Sequence, residues 1–148
     1  MFNRVLVAID GSKQSEKALL TAISDLLSKD SDLHVIHVKN KLVYGAIEGE
    51  ACYGGVESPH EICRNLLEKD KEEVSGCLEK TCGKNGIKYT FHVRSGDPRN
   101  VIIDVAEEIG ADIIVLGSTG KGFGERIILG SVSTYVVVHS SITTMVVR

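Results

Sequence analysis

The sequence has no apolar run approaching the roughly 18 residues that a membrane-crossing helix needs, so a membrane is not an expected partner. It has no excess of positive charge. Lys and Arg number 17 against 20 Asp and Glu, for a formal net charge of -3. Without a large cationic field, nucleic acid is not an expected partner either. No repeat of fixed period and no low-complexity tract interrupts the chain. Cysteines number only four. Met1-Phe2-Asn3-Arg4 runs straight into an apolar stretch that contains Asp10, with no small-residue cleavage site. It reads as a strand and not as an export signal, so the cysteines are expected to be reduced thiols in a cytoplasmic protein.

What is present is 148 residues, 43% hydrophobic and 25% charged. That is the composition of one folded domain spanning 1–148, long enough to bury roughly 70% of its unfolded surface. Two kinds of segment alternate along it. Arg4 to Ile9 is short, apolar and rich in branched side chains, as a buried strand requires. From Ser15 to Leu27 the apolar residues Leu19, Ala22, Ile23, Leu26 and Leu27 fall at helical spacing. Leu33 to Val38 reads as a second strand, and residues 59–82 as a second helix with Pro59 in its first turn. Ile87 to Val93 reads as a third strand. Asp97-Pro98 then caps a third helix lined by Val101, Ile102, Val105, Ala106 and Ile109, which Gly110 ends. Ile113 to Leu116, a short helix over Ser131 to His139, and Thr143 to Val147 complete the alternation. The expected fold class is α/β: a five-stranded parallel sheet with helices on both faces. Ligands of such sheets bind beyond the carboxyl ends of the strands, which directs attention to Asp10, Val38 and the segment after Leu116.

That segment is rich in glycine: Gly117-Ser118-Thr119-Gly120-Lys121-Gly122-Phe123-Gly124, then Gly130-Ser131 directly before the short helix. Glycines let backbone N–H groups approach a ligand, and a helix N-terminus offers free N–H groups and positive partial charge. The Ser131 hydroxyl could cap the helix or meet a phosphate oxygen. Lys121 and Arg126 make the loop locally cationic, although solvated loop charges are the commoner case. A Walker loop does not fit, since Gly120-Lys121 is followed by Gly122, and the dinucleotide fingerprint is missing after the first strand.

The spacing Gly117-x2-Gly120-x9-Gly130-Ser131 resembles the universal stress protein family, in its ATP-binding branch. Val5 to Ser12, His37-Val38, Gly96-Asp97-Pro98, and Gly130 to Ser133 with His139 and Val146-Val147 resemble the same family's pattern. Ser141-Ile142-Thr143 and the extra Gly122 and Gly124 depart from it. The resemblance implies strand order 3-2-1-4-5, a Rossmann-like arrangement of the adenine nucleotide alpha-hydrolase kind. It also implies ATP as ligand, with ADP or AMP as alternatives and Mg²⁺ accompanying the nucleotide. Carried over by position, Asp10 would meet the ribose or base. Val38 would meet the adenine in a slot with Ala8, Ile9 and Leu116, and Gly117 would meet the ribose. Gly120, Gly130, Ser131, Val132 and Ser133 would cradle phosphates, with Ser118 and Thr119 as small polar neighbours within reach.

The family reading is of a nucleotide-dependent sensor or regulatory module that is at most a slow ATPase, because no general base stands out at the glycine loop. No residue is assigned a catalytic role. The alternative is an ATP-consuming enzyme of the same architecture, an adenylating transferase or a pyrophosphatase, but Asp10-Gly11-Ser12-Lys13 matches neither signature. A phospho-receiver would want paired acids, and Asp10 stands alone at the first strand's exit. The last strand would be a sheet edge, so a homodimer through it is expected, alongside an unidentified downstream protein partner. Cys52, His60 and Cys63 lack the ligand count of a zinc site. Cys77 and Cys82 read as packed or solvent-edge thiols, with a disulfide open if the host is a hyperthermophile, and His37 reads as a histidine satisfied in core or crevice. The long stretch from Lys39 to Ser58 has no periodicity and reads as a surface or functional loop.

Overall fold

The computed structural model describes residues 2–40, 59–120 and 129–148, with the backbone alone for 59–67. Much of the 39–58 loop, Cys52, Lys121, Gly122, Gly124 and Arg126 lie outside the described residues, as do the side chains of His60 and Cys63.

The elements alternate as expected. Strand β1 spans Arg4–Ala8, helix α1 Lys13–Thr21, β2 Asp32–Lys39 and α2 Pro59–Thr81. They are followed by β3 over Thr90–Ser95, α3 over Pro98–Ile109, β4 over Ile113–Gly117, α4 over Ser131–His139 and β5 over Thr143–Val147. The strands pair in the order β3-β2-β1-β4-β5, and every pairing is parallel. Five parallel strands in the order 3-2-1-4-5 are therefore the observed sheet.

Continuous apolar strands follow from this layering, because both faces are covered. Val5, Val7, Ile9, Leu33, Val35, Ile113 and Val115 point to one side and pack with Ala18 and Leu19 of α1 and Val74 and Leu78 of α2. The alternate residues Leu6, Ile36, Ile114 and Leu116 point the other way, onto Ile102, Val105 and Ala106 of α3 and Val136 of α4. Cys82 is fully buried on the first side, and burial pushes its thiol up to about 11, which suits a packed thiol.

Most element ends fall within one or two residues of the sequence expectation, and two boundaries differ by more. The first helix does not run evenly to Leu27. It ends at Thr21 and continues as one wider π-helical turn, Ala22–Leu26, closed by the Leu27 N–H donating to the Ala22 carbonyl at 3.1 Å. One more residue in the turn lets Ile23, Leu26 and Leu27 all reach the core. The third strand starts at Thr90 and not Ile87, because pairing with β2 begins at His34↔Thr90. Ile87 and Tyr89 pack against the core without joining the ladder. Apolar alternation reports burial, and it does not report where a neighbouring strand is within reach.

The third helix begins and ends as read. Asp97 accepts the Arg99 N–H at 3.0 Å, Pro98 occupies the first turn, and Gly110 closes the helix in the left-handed region.

Candidate functional site

Strand order reverses at β1, which has β2 on one side and β4 on the other. The chains leaving β1 and β4 diverge there and open a crevice. A cleft occupies it, at the place where ligands of such sheets bind. Its lining includes Ala8, Ile9, Asp10, Val38, Leu116, Gly117, Thr119, Gly120, Gly130, Ser131, Val132 and Ser133. Twelve of the thirteen residues singled out in the sequence thus come together in one place.

The thirteenth, Ser118, is buried and does not line the cleft. It works behind it. Its N–H donates to the Val147 carbonyl at 2.8 Å, and its carbonyl accepts the Gly130 N–H at 2.6 Å and the Ser133 hydroxyl at 2.9 Å. These bonds hold the end of β4 against the start of α4. They set the Gly117–Gly120 and Gly130–Ser133 segments side by side.

Three lining residues escaped the sequence reading: Ser15, Ile36 and Ile102. Ile36 and Ile102 carry only the signal of core residues, and both do belong to the core. Ser15 had a readable signal, since it falls in the first turn of α1 beside the acidic turn. Its hydroxyl accepts the Asp10 N–H at 3.3 Å and donates to the Ser12 carbonyl at 2.9 Å.

Asp10 is placed by that turn. Its Oδ1 accepts the Ser12 N–H at 2.9 Å, and Ser12 in turn caps α1 by accepting the Ser15 N–H. The other oxygen faces the glycine loop: a Cβ on Gly120 would lie 3.0 Å from Oδ2. One face of the β1 exit is held by His37, which is buried. The Ile9 carbonyl can only accept, so His37 donates to it from Nδ1, at 3.1 Å. Its Nε2 is buried with no partner among the described residues. The histidine is therefore satisfied at one nitrogen only, and that bond fixes the Ile9 peptide from which Asp10 emerges.

At the other end of the cleft, Gly130 and not Ser131 is the cap residue of α4. Among the described residues no side chain caps this helix, and Ser131 is its first helical residue. The N–H groups of the first turn thus face the cleft without a side-chain cap in competition. The cleft has an apolar end (Ala8, Ile9, Val38, Ile102 and Leu116) and a polar end of glycines and helix N-terminus. Among the described residues, no three His, Cys, Asp or Glu side chains are placed to hold a metal ion, and no helix is long and apolar enough to cross a membrane.

The family model for the universal stress protein family matches residues 1–148. The chain belongs to the universal stress protein family. It is 30% identical over 151 residues to universal stress protein YxiE of Bacillus subtilis, with all of both chains covered. Among solved structures, hypothetical protein MJ0577 superposes with a TM-score of 0.75 at 27% identity, covering 99% of this chain and 96% of that one. A universal stress protein family protein from Arabidopsis thaliana, solved with AMP bound, superposes with a TM-score of 0.63 at 19% identity over 98% of this chain and 90% of that one. At that identity the likeness bears on the fold alone.

Proposed function

We propose that the crevice between β1 and β4 holds an adenine nucleotide, and that this universal stress protein works as a nucleotide-dependent sensor or regulatory module. ATP is the first candidate, with ADP and AMP as alternatives. The observation that carries the reading is the convergence of three unlike groups on one cleft. They are an apolar slot, a carboxylate at its rim and a glycine-backed helix N-terminus, which are the complements of a base, a sugar and a phosphate chain. The AMP bound by the Arabidopsis neighbour is a property of that protein, and it shows only that the fold is compatible with such a ligand.

In this reading the base lies between Val38, Ile102 and Leu116. Asp10 Oδ2 accepts a ribose hydroxyl, and the N–H groups of Gly120, Ser131, Val132 and Ser133 receive phosphate oxygens, whereas the Gly130 N–H is spent on the Ser118 carbonyl and Gly130 contributes only the close approach of its backbone. Mg²⁺ would accompany the phosphates and neutralise part of their charge. Phosphoryl transfer needs a group that positions a nucleophile as well as charge stabilisation. Among the described residues the cleft lining supplies Asp10 and four hydroxyl residues, Ser15, Thr119, Ser131 and Ser133, and no histidine or lysine, which supports hydrolysis that is slow at most. The readout is then conformational and passes to a partner protein in the cytoplasm. A single domain over 1–148 and a homodimer through the outer edge of β5 complete the proposal. The β5 edge opposite β4 takes no strand among the described residues.

Titration calorimetry with ATP and Mg²⁺ tests the ligand. Saturable heat at micromolar to millimolar ATP, lost when Asp10 becomes Ala, is the expected result. Absence of both heat and thermal shift at millimolar nucleotide would overturn it. A monomeric mass in solution at micromolar protein would overturn the dimer.

A further inference from the structure

A second, shallower pocket lies across the α4 N-terminus from the first and shares Gly130 and Ser131 with it. It is also lined by Arg99, Thr134, Tyr135 and His139. Arg99 reaches it from the second position of α3, three residues before Ile102. That spacing puts both side chains on one face of the helix, with Ile102 in the first cleft and Arg99 in the second.

The Arg99 guanidinium is held firmly. Nε donates to Asp97 Oδ1 and Oδ2 at 3.1 Å each, and Nη2 donates to Oδ2 at 2.6 Å. The group lies over the Tyr135 ring, 5.6 Å from its centroid. Tyr135 is itself fixed by its hydroxyl donating to Asn100 at 2.9 Å and by stacking on His139. This fork uses the Nε–Nη2 side. The Nη1 end has no partner among the described residues, and Arg99 lines the pocket together with Ser131 and Thr134. Among the described residues no carboxylate lines that pocket; Asp97 holds the arginine at its Nε–Nη2 side. Holding a guanidinium from one side so that its remaining N–H groups are aimed outward is how arginine is prepared for an anion with little ordering cost on binding.

Resting on the nucleotide reading above, we infer that Arg99 is a specificity-determining residue of this site, receiving the terminal phosphate of a nucleoside triphosphate across the Gly130–Ser131 ridge. A monophosphate held in the first cleft stops at the ridge and leaves Arg99 untouched. A triphosphate passes over it. Arg99 thereby reads phosphate-chain length, while Val38, Ile102 and Leu116 hold the base.

The test is the ratio of AMP to ATP dissociation constants, measured by calorimetry on the full chain. A hydrogen bond to a charged group makes the expected loss of ATP affinity in Arg99→Gln about tenfold or more, with AMP affinity unchanged. Arg99→Lys keeps the charge and the packing stem, and should retain the larger part of the preference for ATP. The inference is overturned if the Gln variant binds ATP as tightly as the parent, or loses AMP and ATP affinity equally, as a merely structural residue would cause. It is also overturned if the Lys variant prefers ATP no more than the Gln variant does. If the parent binds AMP but gains nothing from added phosphates, this inference fails and the nucleotide reading stands. If the parent binds neither nucleotide, both fail.

Discussion

Gly117 lies directly against the backbone of Gln14: a Cβ at Gly117 would sit 2.7 Å from the Gln14 carbonyl carbon and 2.9 Å from its oxygen. The contact joins the end of β4 to the first turn of α1, the two elements that bound the crevice. Because the atoms met are main chain, no side-chain rotation relieves the overlap. Gly117→Ala therefore has to push α1 away from the sheet. Overpacking of this kind costs about 1–3 kcal/mol. The expected result is a lower melting temperature together with weakened nucleotide binding, since Asp10 and Ser15 move with the α1 N-terminus. Unchanged melting and unchanged affinity would show that α1 is not seated as described.

Ser133 gives a second, milder prediction. Its hydroxyl donates to the Ser118 carbonyl at 2.9 Å and lies 3.1 Å from the Gly130 carbonyl, inside the protein. Ser133→Ala deletes this tie but leaves the Gly130 N–H bond to Ser118 in place. The cost should be about 1 kcal/mol, or about 3 °C in melting temperature. The main-chain N–H of residue 133 survives the substitution. If Ser133 contributes to phosphate binding through that N–H, ATP affinity falls only as far as the α4 N-terminus loosens, within a few-fold. A loss of about a hundredfold would instead mean that the hydroxyl itself meets the ligand.

Most of this site was readable in the sequence because its parts are backbone features. Gly117, Gly120 and Gly130 announce themselves by lacking a side chain, and Asp10 by following a strand. The topology then brings them together with no further information, since parallel strands all exit on one side. The remainder needed three dimensions. Ile102 looks like any core residue of α3, and only the reversal of strand order at β1 exposes it to the cleft. Ser118 has the composition of a loop contact, yet its peptide is spent on Val147, Gly130 and Ser133. Arg99 is an ordinary polar residue at a helix start until α4 is laid beside α3. The strand and helix ends that shifted, at Thr21 and Thr90, depend on hydrogen bonds to partners that periodicity does not report.

Asp97 links the fold to the Arg99 inference and gives a third prediction. Its carboxylate both caps α3 and holds Arg99, and the hydrogen bonds from Arg99 lower its pKa from the ordinary value. Asp97→Asn preserves an acceptor for the Arg99 N–H but weakens the fork. Helix content should change little, because asparagine caps about as well as aspartate. The preference for ATP over AMP should shrink several-fold as the guanidinium loses its fixed direction. Circular dichroism and paired titrations measure the two effects separately. A large loss of helix with the ATP preference intact would reverse the assignment and make Asp97 purely a cap.

His34 and His92 provide a pH dependence at the far edge of the sheet. His34 Nδ1 and His92 Nε2 are 2.9 Å apart, and the nearly parallel rings have centroids 5.2 Å apart. That separation exceeds the nitrogen distance by about two ring radii, so the nitrogens point at each other along one N–H···N bond and the rings are not stacked face to face. Such a bond needs one nitrogen bare, and two imidazolium rings cannot form it. His34 is held below its ordinary value of 6.5 by burial first, then by His92 and Arg4, with Asp32 opposing. His92 is lowered by burial and then Arg94, with Glu108 opposing. The unfolded chain therefore binds protons more readily than the folded one as the solution is acidified. Stability from the pair is complete above about pH 6.5 and is lost as the pH falls through the lowered folded values. Melting temperature should decline on going from about pH 7 to 5, where carboxylates are still ionised. His34→Gln/His92→Gln should flatten that decline. An equal slope in the parent and the double variant would mean that the pair does not couple protonation to the β2–β3 edge.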